Sequence, residues 1–270
     1  MYSSQILSLK PVSYFWHFNN RCMIIFRWLH TIYSVIIFTI TFMVVFPFLV
    51  LFAQKDSWNK YAYKITQAWA IIYFPLIGIF MKIKDYNDEK WDKPCIYVAN
   101  HFSFVDIAAF PRIANDACFV GKQSIAKAPL FGYFFTSLHI TVNRDSMRDR
   151  AKVIEKNIEA IKSGKSLFIF PEGGIRSAEP PRQVKYKDGA FRTAIKMGVP
   201  IVPVTFLNNW RLFPDDGKFL LRTNKLNIVV HEAIDTSNLN DADIAALRDR
   251  AFNIIEEELL AFNKKHLSQG

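Results

Sequence analysis

The run "SLFIFPEGGIRS", residues 166–177, decides how this chain is read. Its first part is a short apolar stretch of strand length, the pattern of a strand buried on both faces. It stops abruptly in a proline, an acid, two glycines and an arginine: Pro171, Glu172, Gly173, Gly174 and Arg176. Strand, turn, acid and base follow within a few residues, which poses a choice between an ordinary tight turn and the mouth of a site.

Working outward, "CIYVA" (95–99), "HITV" (139–142), "PIVPVTF" (200–206) and "LNIVV" (226–230) read as further strands. Between them lie helical patterns. Residues 147–164 carry a stripe of Val153, Ile154, Ile158 and Ile161 closed by Gly164; residues 189–198 end at Gly198; residues 240–264 form a C-terminal helix. Strands that alternate with helices predict an α/β fold, a mixed, largely parallel sheet flanked by helices. Pro200 and Pro203 inside one strand predict an edge or a bulge.

Upstream the texture changes. Residues 31–53, "TIYSVIIFTITFMVVFPFLVLFA", hold no charge. As a helix this run is about 34 Å long, against a hydrocarbon layer of about 30 Å. It lies too far along the chain and is too long for a secretory leader. A second uncharged run, residues 65–81, spans about 26 Å as a helix and contains Pro75 and Gly78. Lysines flank both runs, so the positive-inside rule selects no two-span topology, and a hairpin dipping into one leaflet fits as well as two spans. Residues 1–84 are therefore expected to be a membrane-associating segment, and 85–270 the α/β domain.

Bulk composition agrees. The 270 residues are 51% apolar and 15% aromatic, rich for a soluble enzyme, and the formal charge of +10 suits an anionic partner. Aromatics concentrate in the apolar N-terminal runs, which argues against a nucleic-acid surface. Cys22, Cys95 and Cys118 make no disulfide framework, and the six histidines form no metal-ligand array, so neither metal nor cofactor is expected.

Directly after the strand 95–99 comes "NHFSFVD", residues 100–106. His101 and Asp106 converge only if the histidine sits in the loop and the acid in the first turn of the next helix. Such a pair takes a proton from a hydroxyl, the carboxylate fixing the imidazole's tautomer. Ser103 and Asp106 also read as a helix N-cap with an acid in the first turn, and from spacing alone both readings stay open.

Taken in order, these pieces resemble a known family, the glycerophospholipid acyltransferases that include bacterial lysophosphatidic acid acyltransferase. Asn100, His101 and Asp106 match its first motif, and "ITVNRD" with Arg144 its second. Phe170, Pro171, Glu172, Gly173, Arg176 and Ser177 match its third, and Val199, Pro200 and Pro203 its fourth. "GKQSIAKAPLFG" (121–132) and "YKDGAF" (186–191) are smaller agreements. The likeness covers residues 85–235. One departure is that two residues, Gly174 and Ile175, separate Gly173 from Arg176, where the family has one.

The resemblance implies an enzyme of phospholipid biosynthesis on the cytoplasmic side of a membrane. It would move a fatty acyl group from acyl-CoA or acyl-carrier protein to the sn-2 hydroxyl of lysophosphatidic acid. His101 and Asp106 are then the catalytic pair. Arg144 and Arg176, with Lys122, would grip the acceptor's phosphate, Glu172 would hold an acceptor hydroxyl or a neighbouring arginine, and Gly173 would shape the loop. No GxSxG elbow is present, so a serine hydrolase of that type is disfavoured. The same chemistry on another lysophospholipid, an aminolipid or glycerol phosphate, and a non-catalytic binder of lipid phosphate, remain as alternatives. Oligomeric state is left open.

Overall fold

The structure, a computed structural model, describes residues 12–86, 94–114, 116–143 and 146–267. With neither proline nor glycine between residues 12 and 30, helix α1 extends the uncharged run backwards and spans Val12–Phe52, 41 residues. Helix α2, Asn59–Leu76, returns antiparallel to it. Phe52 meets Tyr61, Trp69 Nε1 donates to Thr41 Oγ1 at 3.0 Å, and the Tyr33 hydroxyl donates to the Leu76 carbonyl at 3.0 Å. The hairpin expected from the two runs is thus present. Its arms differ in surroundings. On α1, the stretch Ile24–Phe52 has a mean hydropathy of 2.8 and is mostly exposed, whereas α2 buries Ala62, Tyr63, Ala70, Tyr73 and Phe74.

The second run does not continue as helix to residue 81. Strand β1, Ile79–Asp85, follows at once and forms one edge of the sheet, so the boundary expected at residue 84 falls within a strand. Lys82 and Lys84 are exposed on this edge, where charge discourages pairing with another chain.

The remaining elements alternate. Strand β2 (Ile96–Ala99) leads to helix α3 (Val105–Ala109), β3 (Ala117–Lys122) to α4 (Phe131–Leu138), and β4 (Ile140–Val142) to α5 (Met147–Lys162). Then come β5 (Ser166–Ile169), α6 (Gly189–Met197), β6 (Ile201–Phe206), α7 (Asn209–Leu212), β7 (Asn224–Val230) and α8 (Ile244–Leu267). Left-handed glycines follow α5 and α6 as expected, Gly164 at φ 86° and Gly198 at φ 60°.

Among the described residues, seven strands lie in the order β1-β7-β6-β2-β5-β3-β4, all neighbours parallel except β6 and β7. Successive residues of β5 point to opposite faces. Phe168 joins a core beneath α2 and α3, while Leu167 and Ile169 join a second core beneath α5, α6 and α8. Burial on both faces is why β2, β5 and β6 read as continuous apolar runs. Each fully buried Phe or Leu contributes about 1.5–3 kcal/mol.

Pro203 is not on an edge, since β6 lies between β7 and β2. It lies where the β6–β7 ladder is irregular: the bridge Ile201–Ile234 and the pair Val204–Val230 enclose one more residue on the β7 side. A ladder donor is dispensable at such a bulge.

Candidate active site

From β2 the chain crosses toward β3; from β5 it crosses the other way, to β6. The loops after β2 and β5 therefore part, and a crevice opens beyond the carboxyl ends of these neighbours. The β2–β5 register, Val98 against Ile169, brings His101 opposite Glu172 when carried three residues further. That is where both motifs lie.

His101 is buried at 6% exposure, and its Nδ1 lies 3.0 Å from Asp106 Oδ2. Its ring stacks on Phe170, with centroids 4.0 Å apart and planes within 6°. Asp106 is in the first turn of α3, as convergence required. Its Oδ2 also accepts from the backbone amides of Phe102 at 3.2 Å and Ser103 at 3.1 Å, and its Oδ1 accepts from Asn209 Nδ2 at 2.8 Å. Capping and histidine-binding are thus not rival readings: one carboxylate does both. Burial pushes the Asp106 pKa up, opposed by its bonds to His101, Asn209 and Ser103.

Around this pair, polar side chains replace backbone. Asn100 accepts from the Phe206 amide at 2.8 Å and donates to the Phe206 carbonyl at 3.1 Å, which prolongs the β2–β6 ladder by one step and holds the next residue, His101, in place. Glu172 is 1% exposed. Its Oε1 accepts from the His101 amide at 2.8 Å and its Oε2 from the Val184 amide at 3.3 Å. Through Oε1, Glu172 thus ties the loop after β5 to the loop after β2, and through Oε2 it holds a later part of its own loop. Burial pushes its pKa up to about 8, against the pull of those two amides.

His101 opens onto a cavity of ≈ 670 Å³ with largely apolar walls. Lys122, at the end of β3, lines it, as do Gly173, Gly174, Ile175 and Arg176. Gly173 and Gly174 have φ of 80° and 146°, a conformation only glycine takes without strain, and this pair carries the longer loop. A Cβ on Gly173 would also lie 2.7 Å from Lys187 Nζ. Arg144 falls outside the described residues. Among the described residues, no three His, Cys, Asp or Glu side chains converge as metal ligands.

Three contributors escaped the sequence reading. Asn209 holds Asp106 from the far side of the sheet's end. Phe170 provides the face on which His101 rests. Phe38, Phe42, Val45 and Leu49 of α1, with Trp69 of α2, form a wall of the cavity, so the apolar hairpin is part of the site. The first had a visible signal, two asparagines directly after a buried strand; the others depend on packing.

The model of the acyltransferase family matches residues 52–207. A chloroplastic 1-acyl-sn-glycerol-3-phosphate acyltransferase of Brassica napus is 31% identical over 79% of this chain and 60% of its own. The 1-acyl-sn-glycerol-3-phosphate acyltransferase of Escherichia coli is 26% identical over 71% of this chain and 77% of its own. The chain spans 60%, 51% and 53% of three plant and algal relatives. Among solved structures, the 1-acyl-sn-glycerophosphate acyltransferase PlsC from Thermotoga maritima superposes with a TM-score of 0.74 at 22% identity, over 88% of this chain and 97% of that one. That likeness carries the fold. With one family model covering more than half of its length, the chain belongs to the acyltransferase family.

Proposed function

We propose that this chain transfers a fatty acyl group from a thioester, acyl-CoA or acyl-carrier protein, to the sn-2 hydroxyl of lysophosphatidic acid, giving phosphatidic acid. The observation that carries the proposal is the buried His101–Asp106 pair, 3.0 Å apart, facing a cavity with apolar walls. The names of the relatives support the choice of acceptor.

With Nδ1 donating to Asp106, Nε2 of His101 is left to accept the hydroxyl proton. As that proton leaves, the oxygen attacks the thioester carbonyl. The C–S bond then breaks, the departing sulfur takes the proton back from the imidazolium, and an ester and a free thiol remain. Asp106 holds the ring and stabilises its transient charge. Lys122 and Arg176 at the cavity's lip, together with Arg144, are assigned to the acceptor's phosphate. The apolar interior suits an acyl chain. Phosphatidic acid and its precursor are amphiphiles, which fits membrane association through the exposed face of α1, with the α/β domain on the cytoplasmic side.

The test is an assay of the purified protein with both thioester donors against a panel of lysolipids. Release of thiol that requires lysophosphatidic acid is expected. Turnover confined to a different lysolipid would replace the acceptor, and binding of lysophosphatidic acid without turnover would make the protein a lipid-phosphate binder.

A further inference from the structure

Beside the mouth of the cavity lie three aromatic rings, two of them exposed and the third, Phe213, half-buried against the core. Phe104 and Phe219 are 46% and 49% exposed, and with Phe213 they form a closed triangle, the centroids 6.2, 6.4 and 6.3 Å apart. Phe104 also lines the cavity that holds His101. Phe219 is held at φ 53°, a strained conformation for an aromatic residue, on a loop that keeps its ring outward. The loop is fixed at its start, where Ser103 Oγ donates to the Phe213 carbonyl at 2.8 Å.

The same loop is stapled to α1. The Thr31 hydroxyl donates to the Arg27 carbonyl at 2.8 Å and accepts from the Leu221 amide at 2.9 Å, which sets Arg222 beside the turn carrying Arg27. Among the described residues, neither arginine is in an ion pair. Partial burial, and next Arg27, push the Arg222 pKa down, while Asp216 pulls it up. Lys218 on the loop adds a third cation; Asp215 and Asp216 oppose the three. Along this part of α1, Ile24, Trp28, Leu29 and Ile32 are exposed.

We propose that this rim is a second membrane contact: Phe104, Phe213 and Phe219 enter the same leaflet as the exposed face of α1, while Arg27 and Arg222 meet lipid phosphates. The occupant is a lipid leaflet because the patch is continuous with a helix long and apolar enough to cross one. Paired guanidiniums bordered by aromatic side chains match the phosphate level and the interface below it. The mouth of the cavity then opens at headgroup depth, so an amphiphile enters sideways from the bilayer. This placement does not depend on which lipid is acylated.

The test labels the full-length chain with a polarity-sensitive fluorophore at Phe219→Cys in a Cys22→Ser background. Cys95 and Cys118 are buried and are left in place. The protein is reconstituted into vesicles of equal parts phosphatidylcholine and phosphatidylglycerol. The label is expected to lose most of its emission to a nitroxide on the lipid headgroup and little to iodide in the water. A label at Lys196→Cys, exposed on α6 against the opposite face of the sheet, should behave in reverse. Iodide quenching as strong at 219 as at 196 overturns the proposal. Shielding that appears only at high protein-to-lipid ratio also overturns it, in favour of a second copy of the chain. Lys218→Cys gives an independent label position should Phe219→Cys disturb the loop. Shielding unchanged in an Arg27→Gln/Arg222→Gln background would remove the phosphates from the proposal.

Discussion

Asn209 reaches back 103 residues to donate a 2.8 Å hydrogen bond to Asp106, on the carboxylate oxygen that His101 does not use. In the proposed mechanism it acts only through Asp106. A hydrogen bond to a charged group contributes about 1.5–3 kcal/mol, so Asn209→Ala is expected to lower kcat about 10- to 150-fold, with the acceptor KM little changed. Loss of the donor raises the Asp106 pKa, so the acid limb of the kcat profile should move to higher pH. Asn209→Asp keeps the side-chain acceptor for the Trp210 amide but sets a second carboxylate against the first, and should be worse. Equal losses of thermal stability and turnover with an unmoved pH profile would reduce Asn209 to scaffolding.

His101→Ala should cost about 100- to 10,000-fold in turnover, the usual range for a lost general base. The protein should still fold, because the remaining cap and ladder bonds at this loop do not involve the imidazole. Near-normal turnover in purified, folded variant would sink the assignment. Asp106→Asn should lose both turnover and stability, since the same carboxylate accepts two backbone amides, of Phe102 and Ser103, in the loop that enters α3.

Glu172 gives a pH signature. Its folded pKa of about 8 lies above the ordinary 4.5, so the folded state pays more than the unfolded one to ionise it. The stability this carboxyl contributes is complete below pH 4.5 and is lost as pH rises towards 8, a change on the order of a few kcal/mol. Glu172→Gln cannot ionise, though its amide can accept from only one of the two backbone donors at a time. Measured in detergent micelles, the melting temperature of the wild type relative to Glu172→Gln should therefore fall across that window. A constant difference would show that the carboxyl does not titrate there.

Arg176→Ala and Arg144→Ala should each raise the acceptor KM and leave the donor KM nearly unchanged. If a charge-assisted bond of about 1.5–3 kcal/mol is lost, kcat/KM falls about 10- to 150-fold. Lys at either position should rescue only part, lacking the bidentate fork. Ile175 lines the cavity between Gly174 and Arg176, so deleting it should damage the enzyme although it restores the family's spacing. A harmless Arg176→Ala beside a harmful Arg144→Ala would move the phosphate grip to Arg144 and Lys122.

Local pattern made much of this legible. Continuous apolar runs marked β2, β5 and β6, because strands covered on both faces have no polar alternation to hide them. His101 and Asp106 could be paired from spacing plus a strand end. β1 was missed: the alternation "FMKIKD" was visible, but Phe80 and Met81 merged with the apolar run before them. β3 was also missed, as the apolar run of "ACFVGK" is broken by a glycine packed against Phe135. Asn209, Phe170 and the α1 wall act across long sequence separations, and no local pattern announces which loop a side chain will meet.

Phe38, Phe42, Val45 and Leu49 make α1 a wall of the cavity as well as an exposed apolar helix. Mooring and mould are thus one object. Cutting the chain before residue 53 would not free a soluble catalyst; it would leave a pocket with one side missing. Grafting an unrelated apolar span in its place should keep the protein on the membrane while turnover stays lost. In the proposed function, α1 faces lipid on one side and substrate on the other, so a change on either face should be felt at the other.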